Sequence, residues 1–123
     1  MFRMTQYPAP ADVAVRFIKA WGSQDMDAVA GLLAEDVTFE SPRMKVHGAE
    51  STLATLGEFS QVVTGIDVLA VLGDDRQAMI MYDMATGPFG TLRVVDHLIV
   101  ENGKIKADSI VFDTYELRKA QEG

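Results

Sequence analysis

The sequence predicts an α+β domain in which three helices are followed by a β-meander whose sheet curls over them. Three observations point there. Apolar residues recur at helical spacing up to Ser60, and after it they switch to alternation. The later segments are separated by turn-forming clusters, Gly73-Asp74-Asp75, Gly87-Pro88-Phe89-Gly90 and Asn102-Gly103.

Residues 1–10 end in Tyr-Pro-Ala-Pro and read as an N-terminal arm. From Ala11 to Gly22, Val13, Phe17 and Trp21 recur every four residues with Ala14 and Ile18 beside them, one apolar stripe closed by Gly22. Ser23-Gln24-Asp25 turns the chain, and Asp25 is placed to cap a second helix carrying Met26, Val29, Leu32 and Leu33. Val37–Glu40 is a short strand ended by Pro42. Gly48 opens a third helix with Leu53, Leu56 and Phe59, and Glu50 lies in its favourable first turn. Residues 64–72, 77–86, 91–101 and 104–115 are β-rich, and Asn102-Gly103 is a strong hairpin signal between the last two. The polar tail, 116–123, is expected to fray. With no repeat or linker in view, 11–115 reads as a single domain.

Composition narrows the function classes. A chain of 123 residues, 48% hydrophobic and 24% charged, fits one soluble domain with a real core. No apolar run approaches the roughly 20 residues of a membrane span, and the first ten residues lack the apolar stretch of a secretory leader. The absence of cysteine removes disulfides and thiolate chemistry and fits a cytoplasmic location. A net charge of −7 argues against nucleic acid and anionic membrane surfaces as partners. His47 and His97, far apart and without cysteine, give no expectation of a metal site.

Asp96 is the most informative residue. Along Leu92–Glu101 one face carries Leu92, Val94, Asp96, Leu98 and Val100, the other Arg93, Val95, His97, Ile99 and Glu101. A period of two sends the first set inward and places a carboxyl among aliphatic side chains. An unpaired buried carboxylate protonates or finds a donor, so Asp96 is a candidate for catalysis or ligand binding. The competing use is a structural Asp bonded to a backbone N–H or a tyrosine hydroxyl. Asp108 shares the side of the last strand that carries Ile110 and Phe112, and Asp83 lies with Met79, Met81 and Ala85; each is a candidate base if that side faces the interior. Several carboxyls in one apolar pocket would divide acid and base roles between them. His97 has the outward phase. Ser41 has no evident His partner, so pocket lining outranks a nucleophile's role.

Ala34-Glu35-Asp36-Val37-Thr38-Phe39-Glu40-Ser41-Pro42, then Val46-His47-Gly48 opening a helix, then Glu101-Asn102-Gly103-Lys104-Ile105 in the last hairpin, resemble the SnoaL-like and ketosteroid-isomerase-like proteins of the nuclear-transport-factor-like superfamily. The resemblance covers about residues 11–115. It implies a cone-shaped, curved, mixed or antiparallel sheet around the N-terminal helices, of the cystatin-like α+β kind, with a deep apolar pocket and often a homodimer. The pocket serves cofactor-free isomerases, cyclases, dehydratases and epoxide hydrolases, and also proteins that only bind or scaffold.

Carried over residue by residue, the resemblance matches Asp96 to the protonated Asp of ketosteroid isomerase. The catalytic base of that enzyme falls at Ser41 and its oxyanion-stabilising Tyr at Phe17, so its steroid mechanism does not transfer. An epoxide hydrolase would have Asp83 as one acid, with its Arg near Met81 and its second Asp near Ile110. Phase and resemblance together put Phe17, Trp21, Phe39, Ser41, Leu56, Leu92, Val94, Ile110 and Phe112 around the pocket, with plain core as the competing use. The expected activity is acid/base chemistry on a small hydrophobic carbonyl compound, with no cofactor. The alternatives are a non-catalytic binder of a hydrophobic molecule, and an interaction subunit that dimerises through an outer sheet face of Val95, His97, Ile99, Val111 and Tyr115.

Overall fold

A computed structural model describes residues 7–122. Four helices and six strands follow in the order α1 (Pro10–Gly22), α2 (Met26–Leu32), β1 (Leu33–Ser41), β2 (Met44–His47), α3 (Ala49–Ser60), β3 (Val63–Gly73), β4 (Gln77–Thr86), β5 (Gly90–Glu101), β6 (Lys104–Val111) and α4 (Tyr115–Glu122). The strands form one curved, unclosed sheet in the order β2-β1-β6-β5-β4-β3. β3 to β6 is the expected antiparallel meander. β1 joins β6 in parallel, so the sheet is mixed and its first long strand lies against its last.

Local chemistry explains the helix ends. Pro10 starts α1, where its missing N–H costs nothing. The Asp25 carboxylate accepts from the Ala28 N–H at 3.1 Å and caps α2 as the sequence indicated. Asn102 and Gly103 both take positive φ, 52° and 75°, the pair of left-handed residues that a tight hairpin requires. Irregular register in β3, at Val63–Gly65 and Val68–Ala70, and in β5–β6 bends the sheet.

The apolar stripe of α1 is buried against the concave face as expected, with Val13, Ala14, Phe17, Ile18 and Trp21 all in the core. Gly22 lets the end of that helix approach β3 closely: a Cβ there would collide with the Ile66 side chain. Trp21 Nε1 donates to the Leu56 carbonyl at 2.8 Å, tying α1 to α3.

Three expectations are corrected. β2 was not read from the sequence, because Met44-Lys45-Val46-His47 is short, mostly exposed and pairs only with β1. The last strand ends at Val111, so Tyr115 starts a helix and does not belong to the outer sheet face. The tail 116–123 does not fray along its described length: it forms α4, with Leu117 buried. Asp113 accepts from the Tyr115 N–H at 2.9 Å at the start of that helix. The expected arm, 1–10, lies outside the described residues up to residue 6.

Candidate functional site

Strand phase assembles a polar cluster inside the sheet. β4 turns Ala78, Ile80, Tyr82, Met84 and Thr86 inward, and β5 turns Leu92, Val94, Asp96, Leu98 and Val100 inward. β6 adds Asp108 from the opposite side of Asp96. Asp96 and Tyr82 are each 1% exposed and Asp108 is 2% exposed. The Tyr82 hydroxyl donates to Asp96 Oδ1 at 2.7 Å. Neither oxygen of Asp108 has a partner at hydrogen-bonding geometry, yet its carboxyl stands close enough to Asp96 for the two to perturb each other.

Burial sets the protonation states. Desolvation raises the pKa of Asp96, while the adjoining Asp108 carboxyl and the Tyr82 hydrogen bond pull it part of the way back. Desolvation pushes Asp108 well above the usual carboxylate range, and the charge and closeness of the Asp96 carboxyl add to the rise. Tyr82 is driven well up by burial and by the neighbouring carboxyls, so it stays a neutral donor. Burial raises both carboxyls of this coupled pair, and the Tyr82 hydroxyl donates to Asp96 alone, which favours Asp96 as the ionised member and Asp108 as the proton holder.

Beside this cluster lies a cavity of about 430 Å³. Its deep wall is apolar and includes Trp21, Phe39, Leu56, Met84 and Leu117. Exposed Arg43, Met44, Glu58, Ala120 and Gln121 form its rim. Trp21, Phe59 and Phe89 make a row of near-parallel rings, with centroids 6.3 and 6.2 Å apart. Thr86 holds Phe89 there: its Oγ1 accepts from the Phe89 N–H at 2.9 Å and donates to the Gly90 carbonyl at 2.7 Å. A second space of about 10 Å³, bordered by Asp96 and Tyr82, sits behind the first. Trp21, Phe39, Leu56 and Ile110 line both spaces and so form the partition between them. Ile110 is the residue paired directly with Asp96 across β5 and β6.

The structure brings together most, not all, of the residues singled out from the sequence. Trp21, Phe39, Ser41, Leu56, Ile110 and Phe112 line the cavity, and Phe17 lines the small space at Asp96. Leu92 and Val94 are core residues that border neither. Asp83 is a correction: it faces outward and forms a two-pronged ion pair with Arg93, Nε–Oδ1 2.8 Å and Nη2–Oδ2 3.0 Å, which holds its carboxyl below the usual range. The reading missed Tyr82, because both faces of β4 are apolar and alternation there does not say which one is inward. It also missed Arg43 and Phe89, which sit in turns where no periodicity marks them. His97 points outward to Gln77, Nε2 to Oε1 at 2.8 Å. Among the described residues no three His, Asp or Glu side chains converge as a metal ion requires, and no helix is long and apolar enough to cross a membrane.

A SnoaL-like domain model matches residues 14–107, most of the chain. The chain belongs to the SnoaL-like domain family. Solved structures agree with this SnoaL-like fold. A protein of Kribbella flavida is 30% identical over 93% of this chain and 94% of its own, with a TM-score of 0.88. An NTF2-like protein of unknown function from Cytophaga hutchinsonii is 20% identical over 94% and 99%, with a TM-score of 0.80. A putative ketosteroid isomerase from Kribbella flavida is 23% identical over 90% and 82%, with a TM-score of 0.73. No curated protein matches the chain. At these identities the last two speak for the fold alone.

Proposed function

We propose that this SnoaL-like protein is a cofactor-free enzyme that moves a proton on a small apolar carbonyl compound held in the cavity. The observation that carries the reading is the buried Tyr82–Asp96–Asp108 cluster behind an apolar cavity wall. Two carboxyls and a phenol in the core are expensive unless they serve each other or a ligand. Sequence phase suggested Asp96 as the acid; the Tyr82 hydroxyl donates to Asp96 and, among the described residues, no group donates to Asp108, which instead favours Asp108 as the proton holder and Asp96 as the base.

In this scheme Asp96 takes a proton from the carbon next to the carbonyl. The electron pair of that C–H bond moves into the enolate, and the carboxyl pair becomes neutral, the state that burial favours. The proton then returns to the same carbon or a conjugated one, which completes an exchange or an isomerisation. Asp108 and Tyr82 position Asp96 and do not touch the substrate. Ser41 and Thr55 line the cavity, and the Ser41 oxygen already accepts from the Arg43 N–H at 3.1 Å, which leaves its hydrogen for a ligand oxygen. Rotation of Leu56 or Ile110 would open the partition to the reacting carbon.

The test is α-proton exchange in D2O, followed by NMR across a panel of enolisable apolar ketones and lactones. Wild type is expected to exchange at least one of them well above buffer, and Asp96→Asn to lose about a hundred- to ten-thousand-fold of that rate. Equal exchange by wild type and Asp96→Asn removes Asp96 from the mechanism. The partition supports a second reading, a protein that binds an apolar molecule without turning it over. Binding of panel members with no exchange by wild type would select it.

A further inference from the structure

We propose that Arg43 and Gln121 form an anion subsite at the rim of the cavity, and that the ligand is a ring-containing apolar molecule bearing a carboxylate at the end away from Asp96. The proposal rests on the cavity being a ligand site, as in the reading above, but not on turnover.

Arg43 stands on the turn between β1 and β2 and lines the cavity together with Gln121 of α4. Among the described residues the ion pairs are Arg93–Asp83, Lys106–Asp36 and Lys119–Glu116. Arg43 belongs to none of them: its side chain donates through Nη2 to the neutral amide oxygen of Gln121. A guanidinium at the mouth of an apolar cavity is thus matched with a dipole and not with a charge. A carboxylate accepts the guanidinium's parallel N–H groups in two bonds where an amide oxygen accepts fewer. The incoming group would replace Gln121 as acceptor and leave its amide N–H free to donate to the same carboxylate. Glu58 shares the rim, but among the described residues it forms no ion pair with Arg43. The rest of the chamber suits an aromatic body, because Trp21, Phe59 and Phe89 supply its ordered wall. The arrangement separates two ends: an uncharged, proton-transferring end beside Asp96 and an anionic end beside Arg43.

Calorimetric titration with 2-naphthoate and its neutral isostere 2-naphthamide tests this, with quenching of Trp21, the single tryptophan, reporting entry into the cavity. Wild type is expected to bind naphthoate about three- to tenfold tighter than the amide, a modest factor because the rim is wet. Arg43→Gln should erase that preference by weakening naphthoate far more than the amide, Arg43→Lys should keep part of it, and added salt should shrink it in wild type. Equal affinity of wild type for the two probes, or an unchanged preference in Arg43→Gln, overturns the anion subsite and leaves the cavity reading intact. Binding of neither probe, with no Trp21 response, overturns both.

Discussion

Asp83 and Asp96 sit on adjacent strands of one sheet and live in opposite worlds. Asp83 on β4 faces outward opposite Arg93, and a charged partner holds its carboxyl below the usual range. Asp96 on β5 faces inward beside Tyr82, and burial raises its carboxyl. Each is an Asp in an apolar-looking strand, and strand phase alone separates an ordinary surface ion pair from a candidate base. A one-residue change of phase exchanges the two environments. The inner region therefore carries the cost of buried carboxyls, while the outer region can be altered at little cost.

The largest difference between the two regions should appear in rate. Asp96→Asn is expected to lower proton exchange about a hundred- to ten-thousand-fold, whereas Asp83→Asn should leave it unchanged, both read by NMR on the same ketone. A comparable loss from Asp83→Asn would break the distinction.

Stability sharpens it next. Asp108 is raised in the folded state, so the fold binds more protons than the unfolded chain between the usual carboxylate pKa and the raised one. Stability from this group is complete below the unfolded value and is lost as pH rises through the folded value. Asp108→Asn removes that loss and supplies an amide donor to Asp96. Thermal melts should show the variant more stable than wild type at pH 7, by about 1–3 kcal/mol, with the gap closing toward pH 4. A variant less stable than wild type at pH 7 would show that Asp108 is not a buried burden.

Tyr82→Phe should cost about 1–2 kcal/mol at neutral pH, because it deletes one donor to Asp96 without opening a large cavity. It should also raise the pKa of Asp96 further, since the Tyr82 hydrogen bond now lowers it. The smallest effect belongs outside. Arg93→Ala should change stability by less than about 1 kcal/mol, and high salt should erase what difference there is, because Arg93 is 62% exposed.

The same comparison shows what the residues disclose and what they hide. β5 could be phased from its sequence because Asp96 interrupts an aliphatic face while Arg93, His97 and Glu101 mark the other. β4 could not, because Met79, Met81 and Ala85 make its outer face as apolar as the inner face of Ala78, Ile80, Tyr82 and Met84. Alternation carries no direction when both faces are apolar, and Asp83 was assigned to the wrong one. The helices were readable because α1 has a clean stripe and α2 a capping Asp25. α4 was missed because its polar composition resembles a tail, although Asp113 at its start and the Glu116–Lys119 pair at 3.1 Å are local helix signals. The cavity rim was hidden for a different reason: Arg43, Phe89 and Gln121 meet only through the fold of three separate segments.

The central claim is that Asp96 and Asp108 form one buried, proton-sharing pair. Carbon-detected NMR titration of the Asp carboxyls, in wild type and Asp96→Asn, tests it most directly. The account predicts that both titrate above the unperturbed value of about 3.9, Asp108 the higher, and that Asp108 moves down when the Asp96 charge is removed. Asp83 should titrate below that value in both proteins. An Asp96 that titrates at the ordinary value, with Asp108 indifferent to the substitution, would contradict the account.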